Sequence, residues 1–403
     1  MSQAETRTDP GTEDQPPVQV TVPAPRPAAD DLIEALPAPA EPASTEPALA
    51  EPAPAEPALA EPALAEPALA EPAPVRRRRT GLWAGLLAVT LYIELRLICL
   101  LVTMSFADAR HIDLWDLLGK YDAGWYSQIA NHGYDPFLKL APDYGLAVTN
   151  LAFFPLFPGL MALLDPILPA GAGTAGIWIA WMSGAAAAAG LYKIGSHLRN
   201  RPTGVMLAAV WAVIPHALVE SMAYSESLFT ALAAWSLYAL LRRRWLLAGP
   251  LCLLAGLTRP TAAALILVVC LSALIAIVRR RDGWRPWVAG VTAPLGFLGY
   301  FWWVGNRLGR WDGYFIVQDD AWGLRYDNGA YSMENIRLLL TESGPMALWM
   351  VTIVLLAALA LIAVLIVDRW PWQLWLYGLV FFAMTFFGDG YFNSKARYMV
   401  PAF

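Results

Sequence analysis

The chain has 403 residues, 57% of them hydrophobic and only 15% charged, with 18 tryptophans. Soluble domains carry roughly 25% charged residues, and apolar runs of about 18 residues or more read as membrane-spanning helices; the composition therefore excludes an ordinary soluble globular protein and points to an all-α polytopic membrane protein. The net charge of −5 averages two unlike regions, since residues 1–75 hold 14 acids against 2 arginines and the remainder holds 19 acids against 26 bases.

The acidic region is built from proline, alanine and glutamate, with EPALA or EPAPA units every five residues from Glu41 to about Pro74. Proline at that spacing forbids a continuous helix, and there is little apolar surface to bury, so residues 1–80 are expected to form a disordered tail. No apolar core near the start marks a signal peptide. The tail ends in Arg76–Arg79, directly before the first apolar run. A basic block abutting a span marks the cytoplasmic side, which puts the N-terminus there.

The transmembrane domain is expected over 81–403. Its first span is Leu82–Phe106, followed by a polar loop and then FFPLFPGLMALLDPIL, Phe153–Leu168. Further apolar runs are Thr174–Ile194, Thr203–Val219, Ala223–Leu241, Trp245–Thr258, Pro260–Val278, Trp287–Gly305, Met346–Val367 and Trp372–Gly388. If Phe153–Leu168 crossed, the cluster Lys193, Arg199 and Arg201 would face away from Arg242–Arg244 and from Arg279–Arg281 with Arg285. If it does not cross, all of these share the cytoplasmic side with Arg76–Arg79. Pro155, Pro158 and Pro166 also break any long helix there. The expected architecture is therefore about nine complete spans plus an interfacial or re-entrant helix on the outer face of the cell membrane. Tyr398–Phe403 reads as the first turn of a tenth span that stops, as though a C-terminal helix were missing. Cys99, Cys252 and Cys270 all lie in apolar runs and form neither a disulfide framework nor a metal spacing.

With this topology the unusual polar residues gather on the outer side. They occupy the 107–150 loop, the Glu220–Glu226 turn (ESMAYSE), the turn Thr258–Arg259–Pro260, the 306–345 loop and Asp389–Arg397. A transporter would place its charges near the midplane between repeated halves. Charges that rim one side suit chemistry at a membrane–water boundary, on a substrate whose tail lies in the lipid. Nothing in the sequence points to nucleic acid.

The polar island Tyr121–Tyr134, YDAGWYSQIANHGY, carries the leading candidate. Read as a helix, Asp122, Trp125, Tyr126 and Ile129 share one side, with an acid at the edge of an aromatic face. Transfer of a sugar from a polyprenyl phosphate needs a carboxylate base for the acceptor hydroxyl. The leaving phosphate needs cations rather than an acid. Asp122 is the candidate base. Arg259, Arg397, Lys395 and Arg307 are candidate phosphate ligands. Trp125, Tyr126, His132, Tyr224 and Glu226 are candidates for the substrate pocket. Each has a plainer reading: Asp122 as a helix cap, His132 as a loop hydrogen-bonder, Glu220 and Glu226 as snorkelling span ends. Glu94 and Arg96 sit well inside the first span, where each costs about 2.5–3.5 kcal/mol unpaired on insertion scales, and are expected to find partners within the bundle.

The set YDAGWYSQIANHGY, FFPLFPGL, AYSESLFTALAAWSLY, GLTRPTAAAL and SKARYMVP, in this order, resembles the PIG-V-type mannosyltransferases. These are the GPI mannosyltransferase 2 family and its bacterial relatives, in the GT-C superfamily. The likeness covers about 82–403; family members commonly begin the first motif with Trp–Asp where this chain has Tyr121–Asp122. It implies a GT-C-like bundle with a short outer helix before the second span, a polyprenyl-phosphate-mannose donor, inverting transfer on the outer face, and Asp122 as the catalytic acid residue. The acceptor stays open among protein, lipid and glycan. No cofactor is indicated, and a divalent cation is left open, since no cluster with metal spacing occurs. The alternative from another class is a transporter or flippase of lipid-linked sugars.

Overall fold

A proline is tolerated in the first turn of a helix, where its missing N–H has no intrahelical partner. The first helix, α1, begins there and runs from Pro74 to Asp108. The arginine block thus belongs to this helix rather than to the tail before it. The computed structural model describes residues 74–140, 147–168, 171–342 and 344–402; the expected tail lies outside the described residues as far as residue 73.

After α1 come α2 (Leu114–Leu118), α3 (Asp122–His132), a hairpin of β1 (Lys139–Leu140) and β2 (Ala147–Val148), and α4 (Leu156–Leu164). Then follow α5 (Gly171–Leu198), α6 (Arg201–Ala212), α7 (Glu226–Leu241), α8 (Trp245–Gly256) and α9 (Ala262–Val278). The chain continues through α10 (Arg285–Thr292), α11 (Leu295–Leu308), α12 (Gly313–Ile316), α13 (Ala330–Thr341), α14 (Met346–Val367), α15 (Trp372–Phe386) and α16 (Lys395–Met399).

Among the described residues, 4 helices are long and apolar enough to cross a membrane: Gly81–Asp108, Gly171–Leu198, Arg285–Leu308 and Met346–Val367. The other apolar runs expected to cross fold as shorter helices. The reasons are local. Pro215 disfavours helix at the residue before it, and α6 stops at Ala212. Pro250 sits inside α8, which ends before the Thr258–Pro260 turn. The run Phe153–Leu168 yields only the nine residues of α4, about 14 Å of helix against a hydrocarbon layer of about 30 Å.

Helix α5 is the spine of the bundle and packs against α4, α6, α7 and α1. Its buried side is mostly small: Ala172, Ala175, Gly176, Ala180, Gly184, Ala187, Ala188 and Gly195. Small residues let helix backbones approach closely, which is how helices hold together where lipid offers no hydrophobic contrast. A Cβ at Gly195 would lie 2.8 Å from the Cα of Gly204 in α6, and one at Gly204 would lie 2.4 Å from the carbonyl oxygen of Tyr192.

The two charges inside α1 part company. Arg96 is 1% exposed. It donates to Ser221 Oγ at 2.5 Å and to the carbonyl of Ala212 at 3.3 Å. Beside it the Tyr92 hydroxyl donates to Glu220 Oε2 at 3.1 Å. Glu94 instead faces outward, so the expectation that it would be partnered inside the bundle is corrected: it lies on the opposite side of α1 from α5 and α6.

Candidate functional site

Five stretches far apart in sequence meet around one pocket of about 410 Å³. They are the start of α3, residues 152–154, the turn between α8 and α9, the segment 318–326, and the stretch from the end of α15 through α16. Apart from residues 152–154 and the end of α15, these lie in or beside polar segments expected to share one face.

Asp122 opens α3 as its first residue. The cap position belongs to Tyr121, which contributes no side-chain hydrogen bond and holds a left-handed backbone at φ 58°. The Asp122 carboxylate is therefore not a helix cap in the ordinary sense. Its Oδ2 accepts a hydrogen bond from Arg397 Nη2, and Oδ1 has no protein hydrogen bond among the described residues.

Arg397 bridges two acids. Its Nε lies 2.8 Å from Glu226 Oε1, and the same oxygen lies 2.8 Å from Arg259 Nη1. These are close ion pairs in which the N–H bonds do not point squarely at the oxygen. The result is a chain of alternating charge, Asp122–Arg397–Glu226–Arg259. Glu226 is 1% exposed and so is Glu220, which replaces the snorkelling reading for both: Glu226 stands in the first turn of α7 between two guanidiniums, where a helix N-terminus also favours an acid. Arg397 is further held against the Tyr224 ring, 4.8 Å from its centroid, a cation–π contact. Tyr224 in turn donates to the carbonyl of Lys120 at 3.2 Å, tying the site to the segment just before Asp122.

Tyr126 lines the pocket and shares a 2.7 Å hydrogen bond with Ser225 Oγ. Burial pushes its phenol above the usual range, so it stays protonated. Trp125 stands behind the wall, stacked on Phe153 and edge-on to Trp322.

Three candidates have other duties. Lys395 reaches the pocket wall, but its ammonium donates to the carbonyls of Thr385 at 2.8 Å and Gly388 at 2.5 Å; burial pulls its pKa below the usual lysine range. Arg307 is away from the pocket. Its Nε donates to the carbonyl of Asp135 at 2.7 Å and its Nη2 to that of Tyr134 at 3.0 Å, so it clasps the loop after α3. His132 ends α3 on the exposed surface. Neither Arg307 nor His132 lines the pocket.

No protein-family profile, curated protein or solved structure matches the chain. What the site can do is therefore read from its own groups.

Several pocket residues carry no mark in the sequence comparable to that of Asp122. Trp322, Gln318, Arg325, Tyr326 and Asp389 all line it. Residues 325–327 run against 387–389: Asp327 N donates to the carbonyl of Phe387 at 3.0 Å, and Asp389 N to that of Arg325 at 2.8 Å. Asp389 Oδ1 also accepts from the backbone N–H of Arg325, and Asp319 from its side chain. This pairing closes one side of the pocket. The signal was a second polar and aromatic island, VQDDAWGLRYDNGAY from Val317, inside a loop whose other residues are unremarkable. Two polar atoms at the wall, Trp322 Nε1 and Thr261 Oγ1, are buried without a protein partner among the described residues.

Proposed function

We propose that this protein is a membrane glycosyltransferase that moves a hexose, mannose by the resemblance above, from a polyprenyl phosphate to an acceptor hydroxyl with inversion. The observation that carries the reading is the pairing of Asp122 with Arg397 in a pocket that also holds Arg259. A base and its phosphate-binding cations are the two requirements of the reaction, and they share one wall among the ends of apolar helices.

Asp122 Oδ1 takes the proton of the acceptor hydroxyl. The acceptor oxygen bonds to the anomeric carbon from the side opposite the phosphate. The bond from that carbon to the phosphate oxygen breaks, and the polyprenyl phosphate leaves with the electron pair. Arg397 orients the carboxylate through Oδ2 and, with Arg259, faces the departing phosphate. The N-terminus of α9, just after Arg259, adds its partial positive charge.

The charged side chains that line the pocket, Asp122, Asp389, Arg259, Arg325, Lys395 and Arg397, sum to +2, and Glu226 and Asp319 pair with three of these arginines from behind the wall. A lining of cationic surplus suits a phosphate-bearing substrate.

In this reading the apolar helices form a GT-C-like bundle in the cell membrane. The N-terminus is cytoplasmic, α4 is the outer interfacial helix, and the pocket opens on the outer face. The test is transfer in proteoliposomes from labelled mannosyl and glucosyl polyprenyl phosphates to a panel of protein, lipid and glycan acceptors. Label appearing in an acceptor supports the reading. Donor crossing the bilayer without transfer favours a flippase instead.

A further inference from the structure

Glu94 is the fourteenth residue of the 28-residue apolar helix Gly81–Asp108. It is about 20 Å along the axis from either end, whereas the hydrocarbon layer extends about 15 Å to each side of its midplane. A glutamate side chain cannot snorkel that far. Glu94 is also exposed, with no hydrogen bond, ion pair or electrostatic partner among the described residues. Its neighbours on the same face at helical spacing are exposed too: Trp83, Leu87, Thr90, Ile98 and Leu101. The opposite face of α1 packs on α5 and α6. An unpaired acid at mid-membrane, on a face wide enough for a second helix, is costly in lipid and marks a functional surface by default.

We propose that this face of α1 docks a transmembrane helix of another protein, and that the partner presents a lysine or arginine near the middle of that helix to Glu94. Charge complementarity selects this occupant. A second copy related by a twofold axis along the membrane normal would set Glu94 against Glu94, two like charges at mid-depth. Nor can another surface of the chain supply the base: among the described residues, no exposed lysine or arginine lies within two turns of the centre of any long apolar helix. Lipid supplies no compensating cation at the midplane. A basic residue from a partner helix neutralises the charge, and Thr90, one turn away, offers a hydroxyl for the same helix. The rest of the face is apolar and fits a helix as it fits lipid, so the ionic contact sets register and specificity.

The test uses the full-length protein in its native membranes, with Ile98 replaced by p-benzoylphenylalanine and irradiated in place. The expected product is an adduct to a second membrane protein, mapped by mass spectrometry to a helix with a lysine or arginine within one turn of its centre. The adduct is lost in Glu94→Leu. It returns when Glu94→Lys is combined with replacement of the partner's base by glutamate. Size-exclusion profiles establish that both variants remain folded; removing a lipid-facing acid leaves the packed face of α1 untouched. The same probe at Leu356, an exposed position of α14, gives no such adduct. The proposal is overturned by absence of an adduct, by one made of two copies of this chain, by a partner helix without a central base, by one that survives Glu94→Leu, or by the same adduct from Leu356.

Discussion

Arg397 meets the carboxylate of Asp122 across 275 positions of sequence. This one contact joins the start of α3 to α16, near the end of the described chain, and gives the acid a neighbour that orients it while leaving one oxygen open. The other side of Arg397 rests on Glu226, so the geometry at Asp122 depends on a carboxylate that does not line the pocket.

Glu226→Gln tests that dependence. The substitution leaves Arg259 and Arg397 near each other with no buried acid between them. Removing one member of a buried ion pair costs about 3–5 kcal/mol. The expected result is a clear fall in the thermal midpoint, read by fluorescence-detected size exclusion, together with weaker transfer. An unchanged midpoint contradicts the network described here.

Arg259 and Arg307 separate a ligand from a clasp. Arg259→Gln is expected to raise the KM for the polyprenyl-phosphate donor by about tenfold or more, the scale of one charged hydrogen bond. Arg307→Gln is expected to leave that KM unchanged and to lower stability by about 2–4 kcal/mol, since two charged contacts to carbonyls of the 134–135 loop and a cation–π contact with Trp303 are lost. Arg259→Gln also breaks the buried pair with Glu226, so both variants lose stability and the KM for the donor, from steady-state kinetics, distinguishes them.

Trp322→Phe keeps an edge-on ring against Phe153 and removes the indole N–H. Because that N–H is buried at the pocket wall without a protein partner among the described residues, a substrate that turns the ring toward the pocket is expected to supply the acceptor atom. The KM for donor or acceptor should rise several-fold with little change in the thermal midpoint. If neither KM moves, the N–H has no part in binding.

Much of the site was legible in the sequence, for a physical reason. In a chain this apolar, a polar island is costly unless it works, so Asp122, Arg259 and Arg397 stood out by type and place. The plainer features misled. Arg307 and Lys395 look like free cations in sequence, yet each donates to two backbone carbonyls that only the fold brings near. Glu226 looked like a span end because hydropathy cannot tell a helix terminus at the surface from one buried beside two arginines. Span lengths are harder to read: Pro215 and Pro260 lie where helices stop and start within runs that average as apolar, and α8 continues through Pro250.

The glycine contact between α5 and α6 gives a prediction about the bundle itself. Gly204→Ala forces two backbones apart and is expected to destabilise by about 1–3 kcal/mol. Gly159→Ala, inside α4 with nothing within 4 Å of the new Cβ, is expected to stabilise by about 0.5–1 kcal/mol. Opposite shifts of the thermal midpoint in the two variants check the packing.

The central claim rests on Asp122 as the base. The most direct measurement is single-turnover transfer of labelled hexose from polyprenyl phosphate by Asp122→Asn in proteoliposomes, beside the parent protein. Asparagine keeps the size and the contact with Arg397 but cannot take a proton. The account predicts normal expression and folding with transfer reduced by about a hundredfold or more. Transfer at the parent rate by a correctly folded Asp122→Asn protein would contradict it.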